Sequence, residues 1–313
     1  MLEQQDIHQQ LVTENTVTMK RRMTMKTIDS EVLAGYNAGI EKGRLHHGLG
    51  LIEFERTKEI LLEELPPPPA VIYDIGGGYG EYAFWLTSLG YEVCLYDIAE
   101  ENIRMSEDMS KECGLVLKES KVADARSIDR PDCSADAILL FGPLYHIIET
   151  EERMLCLKEC HRLLKPNGLL FTANITRYST MIKYVAEYER RPYLDDEEFY
   201  KMIANTIDTG VHTKKPMGLA YFHTPEELKH EIEAAGFNGV DVRGVIGPCW
   251  LIRNLDEAWE DATKRETIMK VVRLLEKEES IMGLSTHFLS ICIVPGIIIH
   301  LTPSATRFPF KIL

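Results

Sequence analysis

The segment Asp74-Ile-Gly76-Gly-Gly78-Tyr-Gly80 constrains this chain more than any other. It follows Ala70-Val-Ile-Tyr-Asp74, a short apolar run of strand character, and precedes a helical run that continues to Leu89. Glycines at such a junction let the backbone turn sharply and let a ligand approach with no Cβ in the way. The helix behind them directs free N–H groups and the positive end of its dipole at the same point. A dinucleotide-binding turn requires G-x-G-x-x-G, which here puts Glu81 where the third glycine belongs. The pattern is instead acid-x-G-x-G-x-G, with the acid closing the strand.

The flanking sequence repeats the strand–helix rhythm. Tyr91–Asp97 is a second strand ending in an acid, followed by a helix over Glu100–Cys113. A third strand lies near Lys121-Val122 and stops at Asp124, and Ala135–Phe141 is a buried fourth. Glu151–Leu164 is amphipathic, and Lys165-Pro-Asn-Gly168 ends it with turn chemistry before a fifth strand at Leu169–Asn174. Alternation of this kind predicts an α/β fold, a mostly parallel sheet with helices on both faces. Gly239–Val245 and Ser285–Val294 supply two further strands, and Thr224-Pro-Glu-Glu227 has the signature of a capped helix start.

Three acids, Asp74, Asp97 and Asp124, thus close three successive strands, and their side chains converge on one crevice. Each alone suits a turn or a cap. Together with the glycines they suit a nucleoside ligand that carries positive charge and no phosphate. S-adenosylmethionine has an ammonium and a sulfonium. Asp74 would orient the ammonium, Asp97 the ribose hydroxyls, and Asp124, with Ala125 beside it, the adenine amino group.

Residues 70–175 resemble the core of the class I S-adenosylmethionine-dependent methyltransferases, in the methyltransferase-11/25 type of domain. Asp74–Gly80 is similar to that family's first motif and Leu95-Tyr-Asp97 to its second. Leu140-Phe-Gly-Pro-Leu-Tyr-His146, Ile175-Thr-Arg177-Tyr178, Tyr221-Phe-His223-Thr-Pro225 and Gly283-Leu-Ser-Thr-His287 resemble a bacterial small-molecule subgroup. The resemblance implies a Rossmann-like, doubly wound seven-stranded sheet in the order 3-2-1-4-5-7-6 with the last strand antiparallel. It implies cofactor contacts from Asp74, Gly76, Gly78, Gly80, Asp97, Ile98, Asp124, Ala125, Phe141 and Gly142. The expected organisation is a helical N-terminal extension and flap (1–65), a methyltransferase domain (66–294) with a helical lid inserted at 175–222, and a tail (295–313).

The expected reaction is in-line transfer of an activated methyl group, which mainly asks the protein to align donor and nucleophile and exclude water. A base is needed only when the nucleophile must lose a proton. His146 is a candidate for that base, with Tyr145 beside it at the mouth of the crevice. The acceptor pocket is expected between residues 31–60, the 175–222 insert and the 142–146 turn, with Arg177, Tyr178 and His223 as candidates for the acceptor side. Arg177 can clamp a carboxylate or phosphate, or equally form a structural salt bridge. The tyrosines of the insert (Tyr184, Tyr188, Tyr193, Tyr200) suit either a lid or ordinary packing.

Charge and cysteine usage narrow the partners. A net charge of -14, with only short basic clusters such as Lys20-Arg21-Arg22, speaks against a nucleic-acid substrate. The seven cysteines form no CxxC pair, and His46-His47 has no acids around it in sequence, so no metal is expected. No apolar leader and no run long enough to span a bilayer is visible, so a reduced, cytoplasmic protein is expected, with no membrane partner and a homodimer left open. The acceptor should be a small molecule with an O, N or S nucleophile. An aminopropyl transferase would want acids in the Gly142–His146 turn, which has none; a non-catalytic S-adenosylmethionine-binding protein of the same fold remains the other alternative.

Overall fold

The structure, a computed structural model, describes residues 29–186, 196–213 and 218–296. The readings for residues 1–28, for Tyr188 and Tyr193 and for the tail from 297 onward lie outside them. The first helix, α1 (Ser30–Asn37), is capped by Asp29, whose carboxylate accepts from the N–H groups of Glu31 and Val32. A single tight turn at Arg44–His46 leads into α2 (Leu49–Glu64). The alternating unit then runs β1 (Val71–Ile75), α3 (Glu81–Ser88), β2 (Glu92–Asp97), α4 (Glu100–Cys113), β3 (Glu119–Val122) and β4 (Ala135–Phe141). After β4 come a one-turn helix, α5 (Pro143–His146), then α6 (Thr150–Leu163) and β5 (Leu164–Ile175).

The insert folds as α7 (Ser179–Ala186), α8 (Glu197–Thr209) and a small hairpin of β6 (Val211–His212) and β7 (Ala220–Tyr221). It is followed by α9 (Pro225–Ala234), β8 (Asn238–Gly244), α10 (Leu255–Glu260), α11 (Ala262–Leu275) and β9 (His287–Ile293). Thr224 and Glu227 form the capping box at the start of α9, each side chain bonding the other's backbone N–H.

The main sheet has seven strands in the order β3-β2-β1-β4-β5-β9-β8. Apart from the hairpin strands, this is the expected 3-2-1-4-5-7-6, and β9 is antiparallel to both β5 and β8. Period-2 alternation sends Ile72, Val93, Leu95, Leu139 and Phe171 to one face, under α2, α3 and α11. Tyr73, Ile75, Tyr96, Ile138, Leu140 and Leu170 go to the other, under α6 and α9. One local expectation is corrected. Lys165–Gly168 is not a turn ahead of the strand but an irregularity within β5, where Leu164 pairs with Ala135 and Leu169 with Ala137. Asn167, at φ 63°, absorbs the extra residues. No described helix is long and apolar enough to cross a membrane.

Candidate cofactor and acceptor site

The glycine turn after β1 is fixed by close approach. Gly76, at φ 75°, donates to the carbonyl of Tyr96, and a Cβ there would lie 2.5 Å from the Pro143 ring. At Gly77 a Cβ would fall 2.4 Å from the carboxylate of Asp74. Gly80 acts differently, starting α3 and leaving room for Leu95 and Phe84.

Asp74 is fully buried, and neither of its oxygens has a hydrogen-bond partner among the described residues. Burial, and then the neighbouring Asp97, push its carboxyl up to about 7. A buried acid without a donor costs stability unless a ligand supplies one. Asp97 is also buried, but its oxygens are occupied. One accepts from the N–H of Ala99 and from Asn102 at 2.8 and 3.0 Å, and the other accepts from the Gly78 N–H at 2.9 Å. A carboxylate has about four acceptor positions, so the three protein donors leave room for one hydroxyl rather than two. Asp124 accepts from Arg126 through both oxygens, at 2.9 and 2.6 Å, so an adenine amino group would have to share it.

One cavity joins the glycine turn, Asp97 and Asp124; of the expected cofactor contacts, Asp74 and Gly80 are not among its lining residues, Asp74 lying behind Gly77. Its walls include Gly76–Gly78, Asp97, Ile98, Asp124, Ala125, Phe141, Gly142, Tyr145 and His146. Gly142, at φ 125°, and Pro143 at the first position of α5 turn Tyr145 and His146 toward it. Opposite, α1 brings Tyr36 to 2.6 Å from His146 Nε2, leaving Nδ1 buried without a partner among the described residues. Burial lowers the His146 imidazole to about 4, so at neutral pH the ring is uncharged and a weak base.

The remaining wall comes from the expected segment 31–60, although its individual residues are not named by the sequence, while no described residue of the 175–222 insert lines the cavity. Arg44 donates to Glu53 through both terminal nitrogens, at 2.8 and 3.1 Å, and to Glu41 at 2.8 Å. Burial opposes the charge on Glu53, but Arg44 and His287 outweigh it and hold the carboxyl at about 2. Tyr82 and His287 complete this side. A signal for Glu53 was present: with Ile52, Thr57, Ile60 and Leu61 it lies on the buried face of α2, where an acid has no packing reason to be.

The three acceptor candidates do not reach the cavity. Arg177 donates to Glu227 and, at 3.3 Å, to the carbonyl of Phe222, the salt-bridge alternative that the sequence leaves open. His223 is fully buried against Glu231 at 3.3 Å, and Tyr178 packs against Gly283. These contacts fasten the insert to α9. Tyr184 stacks edge-on to Phe199 within the insert, while Tyr200 is exposed. His46 pairs with Glu81 at 2.7 Å.

Comparison with known proteins agrees with this geometry. Residues 73–172 match the family described as a methyltransferase domain. The ubiquinone biosynthesis O-methyltransferase of Burkholderia thailandensis is 25% identical over 178 residues, covering 57% of this chain and 68% of the relative. The ubiquinone/menaquinone biosynthesis C-methyltransferase of Chromobacterium violaceum is 28% identical over 186 residues, covering 56% and 70%. Among solved structures, an S-adenosylmethionine-dependent methyltransferase from Methanosarcina mazei superposes with a TM-score of 0.50 at 22% identity, over 76% of this chain and 97% of its own. With the glycine turn, the strand-end acids and the 3-2-1-4-5-7-6 sheet already in place, residues 73–172 form a methyltransferase domain, set in a chain similar to S-adenosylmethionine-dependent methyltransferases.

Proposed function

We propose that this enzyme methylates a small-molecule acceptor held between the glycine turn, the Tyr145-His146 turn and the α1–α2 wall. The observation that carries the donor half is Asp74: two buried oxygens with no partner among the described residues, near the end of β1 and directly behind Gly77, a residue of the cavity wall that has no Cβ to stand over them. They suit the donor's ammonium. Asp97 takes one ribose hydroxyl, and Ile98, Asp124 and Ala125 flank the adenine. Tyr145, Phe141 and Gly142 line the methyl end. The S-adenosylmethionine supplies an activated methyl group; the protein's own part is to bind, align and keep water out. The cavity wall also contains Val32, Leu33, Leu45, Val245 and Leu289, which favour an acceptor with an apolar body. The two relatives act by name on oxygen and on carbon, so the acceptor atom is not inherited from them. A cytoplasmic enzyme without a nucleic-acid substrate is part of the same reading, supported by the net charge of -14.

The test is a calorimetric titration with S-adenosylhomocysteine, run beside NAD. Micromolar one-to-one binding of the first alone is expected; binding of NAD, or of neither, overturns the reading. The same titration has a pH signature. Below about pH 7 the Asp74 carboxyl is protonated and must release that proton before it can pair with an ammonium. Affinity should therefore rise roughly tenfold per pH unit up to about 7 and level off above it. A flat profile between pH 5 and 7 would remove Asp74 from the donor site. Asp97→Ala should weaken binding by about 1–3 kcal/mol, the loss of a charge-assisted hydrogen bond, and unchanged affinity in a folded variant would reject that contact.

A further inference from the structure

The sequence motif Gly283-Leu-Ser-Thr-His287 delivers a histidine into the cavity. His287 opens β9, which runs antiparallel to its neighbour β5, so this first residue stands at the sheet edge where the parallel strands end. Its side chain keeps 27% of its surface exposed. Nδ1 faces Glu53 Oε2 at 3.9 Å and Thr286 Oγ1 at 3.4 Å. Glu53 is in turn fixed by the two-pronged contact with Arg44. Tyr145, Glu41, Arg44, Glu53 and His287 line one cavity, so the glutamate–histidine wall and the Tyr145 turn belong to one space. His146 is less suited to proton abstraction, because Tyr36 holds its Nε2 and its Nδ1 is sealed in the interior.

Resting on the methyl-transfer reading above, we propose that His287 is the base that takes the acceptor's proton, through Nε2, and that Glu53 is the positioning residue whose carboxylate, 3.9 Å from Nδ1, favours the proton on that nitrogen and steadies the charged ring. The acceptor's lone pair forms the new bond to the methyl carbon as the methyl–sulfur bond breaks, its electron pair staying on sulfur. The proton on the acceptor atom passes to His287 Nε2, and the imidazolium then returns it to solvent. This is the division of labour in which a carboxylate fixes the tautomer of a histidine base and steadies its charged form. The groups facing the ring are Glu53 from α2, Glu41 and Arg44 from the preceding segment and Lys183 from α7. Burial lowers the imidazole, and Glu53 and Glu41 oppose that while Arg44 and Lys183 add to it, so the ring rests uncharged at neutral pH but has acid partners that His146 lacks.

The first test needs no acceptor. Ring-nitrogen NMR of the full-length protein at pH 7.5, assigned with His287→Gln, should show His287 neutral, protonated on Nδ1 and bare on Nε2. A ring protonated on Nε2, or charged at that pH, overturns the proposal. S-adenosylhomocysteine titration separates the two readings: no binding to the wild type removes the methyltransferase reading, whereas binding beside the wrong tautomer removes only this base. With any acceptor found by labelled-donor screening, His287→Gln should lose at least 100-fold in kcat while donor affinity stays within about threefold of wild type. Glu53→Gln should shift the acidic limb of the kcat/KM profile, which a purely structural role would leave in place. Where that variant fails to fold, the wild-type tautomer still decides.

Discussion

Asp74→Asn should give a protein that is more stable than the wild type at pH 8 and yet binds S-adenosylhomocysteine about a hundredfold more weakly. The two effects have one origin. In the free protein the carboxylate is buried with no donor on either oxygen, and its carboxyl sits near 7 against an ordinary 3.8. A displacement of that size corresponds to about 4 kcal/mol of folding free energy at pH well above 7. The sign follows from proton counting. Between about pH 4 and 7 the folded chain holds a proton that the unfolded chain has lost, so stability falls as pH rises through that window. The amide cannot ionise, so the advantage of the variant should be absent near pH 4 and open up toward pH 7. The amide also needs partners in the same dry site, so the net gain should be about 1–3 kcal/mol. Binding loses the buried charge pair with the ammonium, worth about 2–5 kcal/mol when one partner is removed. Thermal melts at pH 4.5 and 8 together with calorimetry check both halves. Wild-type affinity in the variant would mean that the ammonium binds elsewhere, and equal stability at both pH values would mean that Asp74 has a donor in the free protein.

The part of this site that is legible in the sequence is the part built by neighbours along the chain. The glycine turn, the three strand-end acids and the Gly142–His146 turn each lie within a few residues of the strand that presents them. The helix over Glu100–Cys113 and the strand over Ala135–Phe141 are legible because periodicity and flanking turns are local signals. Of the α1–α2 wall only the segment, 31–60, is legible; its individual residues are not, because their meaning lies in long-range contact. Tyr36 and His146 meet across 110 positions, and Glu53 faces a histidine on the last strand. Nothing in periodicity announces such pairs. Arg177 illustrates a second limit: the same residue after the same strand serves as a ligand clamp or as a tether for α9, and only the position of Glu227 decides between them. The segment Lys165–Gly168 is a third. Its residues do have turn chemistry, but turn residues do not say whether the chain leaves the sheet or bulges within it.

Glu231→Ala should destabilise the fold by about 3–5 kcal/mol, the cost of leaving a buried charge without its partner. Arg153 has no exposed surface. It donates to Glu231 at 2.9 and 2.6 Å, to the carbonyls of Ile147 and Ile148 at 3.1 and 2.5 Å, and its guanidinium lies 3.8 Å from the centre of the Tyr221 ring. Those carbonyls directly follow His146, so the same arginine anchors the turn that carries Tyr145 and His146 to the hairpin and to α9. Burial opposes the charge on Glu231, but His223 and Arg153 prevail and bring its carboxyl to about 2, below the ordinary 4.5. A depressed acid contributes stability above its unfolded value and loses it as pH falls through the folded one. The deficit of the variant, measured by urea unfolding, should therefore be complete at pH 7 and shrink between about pH 4.5 and 2. Arg153→Met/Glu231→Leu removes both charges and should recover much of the loss, because a paired charge replaced by apolar volume is often nearly neutral. It leaves the carbonyls of Ile147 and Ile148 without their donor, so the turn should loosen even where stability returns. Recovery of stability with faster backbone amide exchange at residues 145–148 would separate the two duties of Arg153. A double variant as unstable as Glu231→Ala alone would mean that the carbonyl contacts, and not the ion pair, hold this corner of the fold.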